Sequence, residues 1–428
     1  MRTLLCLLLL LGLLASTAHA QTAALEAKDA SNAPLLTLDT SAGLVVRGAA
    51  DVGTIPATGA GARMMWFPGR YAFRAGRVTG SGSAFWDAAS IGYGSAAFGE
   101  NTTASGSQSF AAGLNATATG AYSIAMGNGA SASHNGFLSF SGTANGAVAI
   151  GSEAQATNDE ALALGLNAIA NGWGSVTIGP SLARGDFAVA IGLQNRASGH
   201  FSVAIGKNAR ASRQGSIVLG DGCAGFSSDS VYAKANNQFV ARGCGGIVFY
   251  TSQQLTSGVQ VAPGGSSWSS LSDRNTKENV EVVSVDEVLG LLRGVPVTTW
   301  NYIAQDDSVR HMGPMAQDFW AAFGLGEDSL RINTVDIDGV MLAGVQALDG
   351  RTTELAARIA ALEAQNAALT AENAGLRAEA GTIRAELTAL RTQRLTADER
   401  LTRLEAAVSA LSAPASAAST PAPTTERP

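Results

Sequence analysis

Ser272 and Lys277 stand five residues apart in the stretch Leu271-Ser272-Asp273-Arg274-Asn275-Thr276-Lys277. A serine hydroxyl is a weak nucleophile until a base takes its proton. A lysine can be that base when neutral, a state that burial favours, and such a dyad needs no histidine. The pattern supports one attack on an acyl carbon. It fits equally a serine that caps a turn beside a solvated lysine, because a Ser-x4-Lys spacing recurs by chance in most chains. Few other residues could do chemistry. Cys223 and Cys244, 21 residues apart, read either as a disulfide or as two small free thiols. There is no Cys-x-x-Cys, and His134, His200 and His311 are isolated, so neither a metal nor a cofactor is expected.

The start of the chain supplies an address. Arg2 precedes an apolar run, Leu4 to Leu14, broken only by Cys6 and Gly12, and Ala18-His19-Ala20 is a small-x-small cleavage motif. The run is too short to span a bilayer. Residues 1–20 therefore read as a cleavable signal peptide that takes Cys6 with it, and the mature chain as secreted or cell-surface. No later stretch is apolar for long enough to be a transmembrane segment. The formal charge is −6, which gives no reason to expect nucleic acid. No phosphate loop or glycosidase site is visible, so activity on external substrates is not expected.

The body of the chain is built for repetition rather than for a bulky core. Of 428 residues, 50 are glycine, and only 14% are charged and 6% aromatic. Between 85 and 222 short apolar bursts end in glycine, such as Ser123-Ile124-Ala125-Met126-Gly127 and Ala188-Val189-Ala190-Ile191-Gly192. Glycines 99, 113 and 127 are 14 apart, as are 151, 165 and 179, and again 192, 206 and 220; Ser141 takes the glycine place in one copy. Each burst alternates as a strand does, with Val189 and Ile191 on one side and Ala188 and Ala190 on the other. The glycine permits a tight corner. One such repeat cannot bury its own face, so the repeats must stack into a solenoid. Before them, Met64 to Pro68 and Tyr71 to Gly76 read as a cap over its open end, or as a ligand-binding tip.

After Gly220 the repeats are expected to stop. Asn237 to Arg242 and Gly246 to Thr251 read as two strands around Gly243-Cys244-Gly245, within a β stalk over 223–271. From Met341 the apolar spacing is 4-3-4-3 without a slip, with Leu348, Leu355, Leu362, Leu369 and Leu376 among the d positions. This 3.5-residue repeat predicts a left-handed coiled coil over 341–411, roughly 105 Å long. In a parallel, in-register bundle Arg358–Glu363, Glu372–Arg377, Glu379–Arg384, Glu386–Arg391 and Arg400–Glu405 would meet as g–e pairs of opposite sign. Asn366 and Asn373 at successive a sites would fix register at a cost in stability. Residues 412–428, rich in Ala, Ser, Pro and Thr, read as a disordered tail.

Two resemblances organise these parts. The x-Ala-x-Gly-x-x-Ala-x-Ala pattern resembles the head repeats of trimeric autotransporter adhesins, which implies a left-handed parallel β-roll and a trimer. Ser272-Asp273-Arg274 with Lys277, then Arg310 to Asp318, Ile332 to Asp336 and Gly339 to Leu342, resemble the intramolecular chaperone domains of phage tailspikes and tail fibres, peptidase family S74. That resemblance makes Ser272 the nucleophile and Lys277 the general base of a single cut in cis between Ser272 and Asp273.

The expected organisation is multi-domain and mainly β-solenoid. It comprises a signal peptide (1–20), an N-terminal cap (21–84), head repeats (85–222), a β stalk (223–271), an α+β chaperone domain (272–350) and a parallel coiled coil (341–411). The expected protein is an exported homotrimeric fibre that also meets an unknown surface or host ligand through its head. A non-cleaving structural adhesin is the alternative, and a prophage tail fibre a second one that the leader disfavours.

Overall fold

The computed structural model describes residues 25–39, 43–133, 146–223 and 230–412. The signal peptide, the tail beyond 412 and the Ser141 repeat lie outside them. The chain divides into two compact units, Met1–Leu271 and Ser272–Pro428.

The first unit is a β-solenoid. Each turn contributes one strand to a 12-stranded sheet and a shorter one to a 9-stranded sheet, and successive turns pair in parallel. The alternation of the bursts decides what lies inside. Ala111, Ala125, Ala149, Ala163, Ala190 and Ala204 of the long sheet are fully buried, as are Ala118, Ala132, Ala156 and Ala170 of the short one. The core between the sheets is therefore a column of methyl groups, which keeps the coil thin. Serines at the strand entrances close the corners. The Ser109, Ser123 and Ser202 hydroxyls donate to the carbonyls of Gly106, Gly120 and Gly199 at 2.6–2.7 Å. Gly99 and Gly113 leave their strands at φ +113° and +125°, and a Cβ at either would strike the next turn's glycine carbonyl.

The stack departs from the sequence expectation in two places. Ile124–Asn128 pairs directly with Val148–Ile150, so no described strand from the Ser141 repeat enters the ladder between them. At the other end the solenoid does not stop at Gly220. Val231–Tyr232 and Phe239–Ala241 add one more strand to each sheet, in parallel with Ala209–Ala211 and Ile217–Gly220. The segments around Cys244 are thus not partners of each other. Ile247–Tyr250 instead joins Gly258–Val261 and Ser269–Ser270 in a separate three-stranded antiparallel sheet. The repeat spacing breaks after 220, which hides the last turn, yet Val218 and Val240 still meet in register.

The N-terminal end is closed by Gly61–Phe67 and Ala72–Val78, an antiparallel pair that continues the long sheet. Met65, Phe67, Val78, Trp86 and Ile91 form a bulky plug where the alanine column ends. Arg74 is buried within it. Its guanidinium donates to the carbonyls of Phe73, Ser95 and Ala104 and to the Ser95 hydroxyl at 2.8–3.0 Å, and burial brings its pKa down to about 10. Trp86 Nε1 donates to the Thr102 carbonyl at 2.8 Å. Leu25–Lys28, Pro34–Asp39 and Gly43–Val46 form a small antiparallel sheet of their own.

The second unit is α+β. Helix α1 (Val285–Leu292) is capped by Ser284, α2 (Ala316–Phe323) ends at Gly324 in the left-handed region, and α3 (Thr334–Leu411) is capped by Asn333. Thr298–Trp300 and His311–Gly313 pair between α1 and α2 in the chain. Leu289, Phe319, Val340, Ala343 and Ala347 are its buried apolar residues, and Arg351 on α3 meets Asp286 on α1 at 3.1 Å. Helix α3 starts seven residues before the expected 341, because Asn333 accepts from the Val335 N–H. It is 78 residues, about 117 Å, long. Beyond its first turns every residue is exposed, Leu355, Leu362 and Leu376 at 52–58%.

Candidate functional site

The chain reaches Ser272 from the edge strand Ser269–Ser270, past Leu271, whose N–H donates to the Gly258 carbonyl at 3.0 Å. A single 3-10 turn follows, Arg274–Thr276. Asp273 is its N-cap, its carboxylate accepting from the Asn275 N–H and from Asn275 Nδ2, both at 2.9 Å. The Thr276 hydroxyl donates to the Asp273 carbonyl at 2.9 Å, and the Lys277 N–H returns to the Arg274 carbonyl at 3.2 Å. The turn reverses the chain and brings the side chain of Lys277 back, so that Nζ lies 2.6 Å from Ser272 Oγ. Asn275 and Thr276, polar where an apolar approach to a buried lysine would be natural, are the residues that hold this turn.

Both side chains are exposed in the single chain. As an ammonium, Lys277 donates to Oγ; neutral, it would accept the serine proton, and the contact serves either direction. Elsewhere in this unit an apolar groove of about 530 Å³ lies among Val283, Leu291, Phe323 and Val340, and neither Ser272 nor Lys277 lines it.

The other sequence-marked residues fall elsewhere. Cys223 and Cys244 are joined, Cα to Cα 6.3 Å, at the C-terminal end of the solenoid. Asp221 sits beside them, accepting from the Cys244 N–H at 2.6 Å and from Arg242 Nε at 2.8 Å. The Cys244 N–H above all, aided by Arg242, holds its carboxyl below the ordinary carboxylate value. Asp221, Cys223 and Cys244 bring their ligand atoms within 4.8 Å of one another, but the disulfide consumes both sulfurs. His200 meets Asp186 at 3.2 Å on the solenoid, and His311 meets Gln305 at 2.9 Å in the second unit. Asn366 and Asn373 are exposed on α3, where the Asn373 amide donates to its own helix at Leu369.

One feature went unread in the sequence, although its signal was present at the 14-residue spacing. The outward face of the long sheet carries two apolar columns, one through Ile124, Val148, Leu162, Val176, Val189 and Val203, the other through Met126, Ile150, Leu164, Ile178, Ile191 and Ile205. Met126, Ile150, Ile178 and Ile205 are 38–40% exposed. At the equivalent outward place the short sheet shows Thr103, Thr117, Ser131 and Gln155. The two faces differ in what they can meet. Among the described residues no helix is long and apolar enough to cross a membrane.

Comparison with known families agrees with this division. No curated protein matches the chain. The family model for the YadA head domain repeat matches six segments between residues 90 and 222, with gaps at 137–142 and 176–182. The model for peptidase S74, the chaperone of endosialidase, matches residues 272–324, from the serine of the dyad to the end of α2. The matched turns of the solenoid are accordingly YadA-type head repeats, and the segment that opens at Ser272 carries the match to the chaperone of endosialidase, peptidase S74.

Proposed function

We propose that the protein is an exported, homotrimeric, adhesin- or fibre-like protein whose C-terminal intramolecular chaperone domain assembles the trimer and then cuts itself away at Ser272. The observation that carries the cut is the 2.6 Å contact between Lys277 Nζ and Ser272 Oγ at the first residues of the S74 match. Two bare surfaces support the trimer. They are the apolar columns on the long sheet and the leucine stripe of α3, which copies of the same chain would cover at the same repeat spacing. The coiled coil would be parallel, with Asn366 and Asn373 setting its register, and the rolls left-handed. A head surface would meet a ligand outside the cell. Three chains brought together by α3 would stack their rolls in register, and the cut would make the result irreversible.

The atoms restrict which bond is attacked. Ser272 Oγ reaches the Leu271 carbonyl of its own chain through a five-membered ring. Reaching its own carbonyl would need a four-membered one. A cut between Ser272 and Asp273 therefore calls for the serine of a neighbouring copy, which a trimer supplies. The exposure of Lys277 in the single chain favours the alternative, a structural fibre in which the domain folds as a template but never cuts, unless neighbouring chains bury the lysine and so favour its neutral form.

The test is intact mass and oligomer mass of the mature protein, wild type beside Ser272→Ala and Lys277→Ala. A wild type split into 21–272 and 273–428, with both variants whole, supports the dyad and the neighbouring-chain attack. A break at Leu271–Ser272 supports attack within the chain. An uncut trimer selects the structural fibre, and an uncut monomer overturns both readings.

A further inference from the structure

The outward residues of the short sheet run Ile169, Leu182, Arg196, Arg210 in direct register over four successive turns. Arg196 and Arg210 thus stand on adjacent strands about 4.8 Å apart. Like charges directly across neighbouring strands weaken a sheet, and turns nearer the N-terminus place neutral Thr117, Ser131 or Gln155 here. Among the described residues neither arginine meets a carboxylate; Arg196 Nε only donates to the Ser198 hydroxyl at 3.0 Å. Both are exposed. The pair stands out on a chain of formal charge −6.

Beside it the surface opens into a cavity of about 310 Å³. Its lining combines apolar Ile169, Pro180 and Leu182 with the amides of Asn167, Gln194 and Asn195, the Ser181 hydroxyl and the two arginines. We propose that this cavity binds an acidic polysaccharide. Ile169, Pro180 and Leu182 take the C–H face of a sugar ring, the Gln194 amide takes hydroxyls, and the guanidinium pair takes a carboxylate or sulfate on that sugar or its neighbour, for which the planar fork of arginine is suited. Nothing aromatic lines the cavity to stack bases, as a nucleic-acid strand would require. The cavity lies on the short sheet and not on the long sheet whose apolar columns are assigned to contacts between copies, and the proposal does not depend on the cut at Ser272.

The experiment measures binding of the full mature protein to polygalacturonate, dextran sulfate, polyphosphate and neutral dextran, with the double variant Arg196→Gln/Arg210→Gln and, as a control of equal charge change per site, Arg47→Gln. Wild type binds at least one acidic polysaccharide and not dextran. The double variant binds tenfold or more weakly while melting no lower than wild type, because removing two adjacent like charges relieves the sheet; the single gels of oligomer mass are unchanged, and Arg47→Gln binds as wild type. Equal binding by the double variant, absence of binding to both acidic polysaccharides, or tighter binding to polyphosphate than to either overturns the proposal. A changed oligomer mass in the double variant overturns it in favour of an interface between copies.

Discussion

Lys277 Nζ meets Ser272 Oγ at 2.6 Å because Asp273, the residue between the serine and the turn, caps that turn. Nucleophile and base are brought together by six consecutive residues and by no distant packing. The site is therefore a local structure, formed as soon as this stretch is free to turn, and its timing depends on what surrounds it.

Asp273→Ala removes the cap. N-cap loss costs about 1 kcal/mol, which lowers the population of the turn about fivefold. The expected result is cleavage about fivefold slower, with trimer mass unchanged, read by intact mass over a time course. Asp273→Asn, which still accepts from the Asn275 N–H, should cut at close to the wild-type rate. If Asp273→Ala cuts as fast as wild type, the turn does not position the dyad.

The inner and outer faces of one strand should respond differently. Ile191→Asp puts a charge into an apolar column that the trimer would bury, and an unpaired buried charge costs several kcal/mol; the expected outcome is loss of trimer in light scattering, with a folded head. Ala190→Leu forces bulk into the methyl column and should lower the melting point, as overpacking costs about 1–3 kcal/mol, with the trimer intact where folded. A trimer unaffected by Ile191→Asp would show that the column is not the contact.

Arg74→Met keeps volume in the plug but removes one of the two donors that the carbonyls of Ser95 and Ala104 each accept, the other being the N–H of Phe73 or Gly92. Neither carbonyl is orphaned, so the cost is that of the lost side-chain hydrogen bonds, about 0.5–1.5 kcal/mol each. The melting point should fall, and hydrogen exchange should quicken first in Ala96–Glu100 and the strand beside it. Arg74→Lys should recover part of the loss, because one ammonium can reach only some of the four acceptors.

Asp221 gives the disulfide end an acid sensitivity. Its carboxyl ionises below the ordinary carboxylate value when folded. The stability this supplies is present at neutral pH and is lost as the pH falls from about 4 through the folded value. Wild type should lose more stability between pH 7 and pH 3 than Asp221→Asn, measured as the difference in melting point at the two values.

The sequence disclosed most where one residue type carries one geometric duty. Gly99, Gly113 and Gly127 marked the corners because a side chain there would strike the next turn, and Ala111, Ala125 and Ala149 marked the inside because no larger group fits. It misled where spacing changes while pairing does not: Phe239–Ala241 still joins the ladder although 22 residues, rather than 14, separate Ile217 from Phe239. Arg74 was illegible, since a charged residue in a strand reads as solvent-facing and only the carbonyls ending the alanine column make its burial affordable. At the site, Ser272 and Lys277 were visible as types, but their contact depended on Asp273, Asn275 and Thr276, whose roles are hydrogen bonds that spacing does not reveal.

The parallel ladders described here have a property that isolated sheets share with crystals: each exposed end is a template on which the next copy could add indefinitely. Gly61–Phe67 runs antiparallel to its neighbour at one end, and a strand of opposite sense offers no matching register to another roll. The parallel ladder is thereby interrupted at its N-terminal tip, whereas Phe239–Ala241 keeps the parallel sense at the other end.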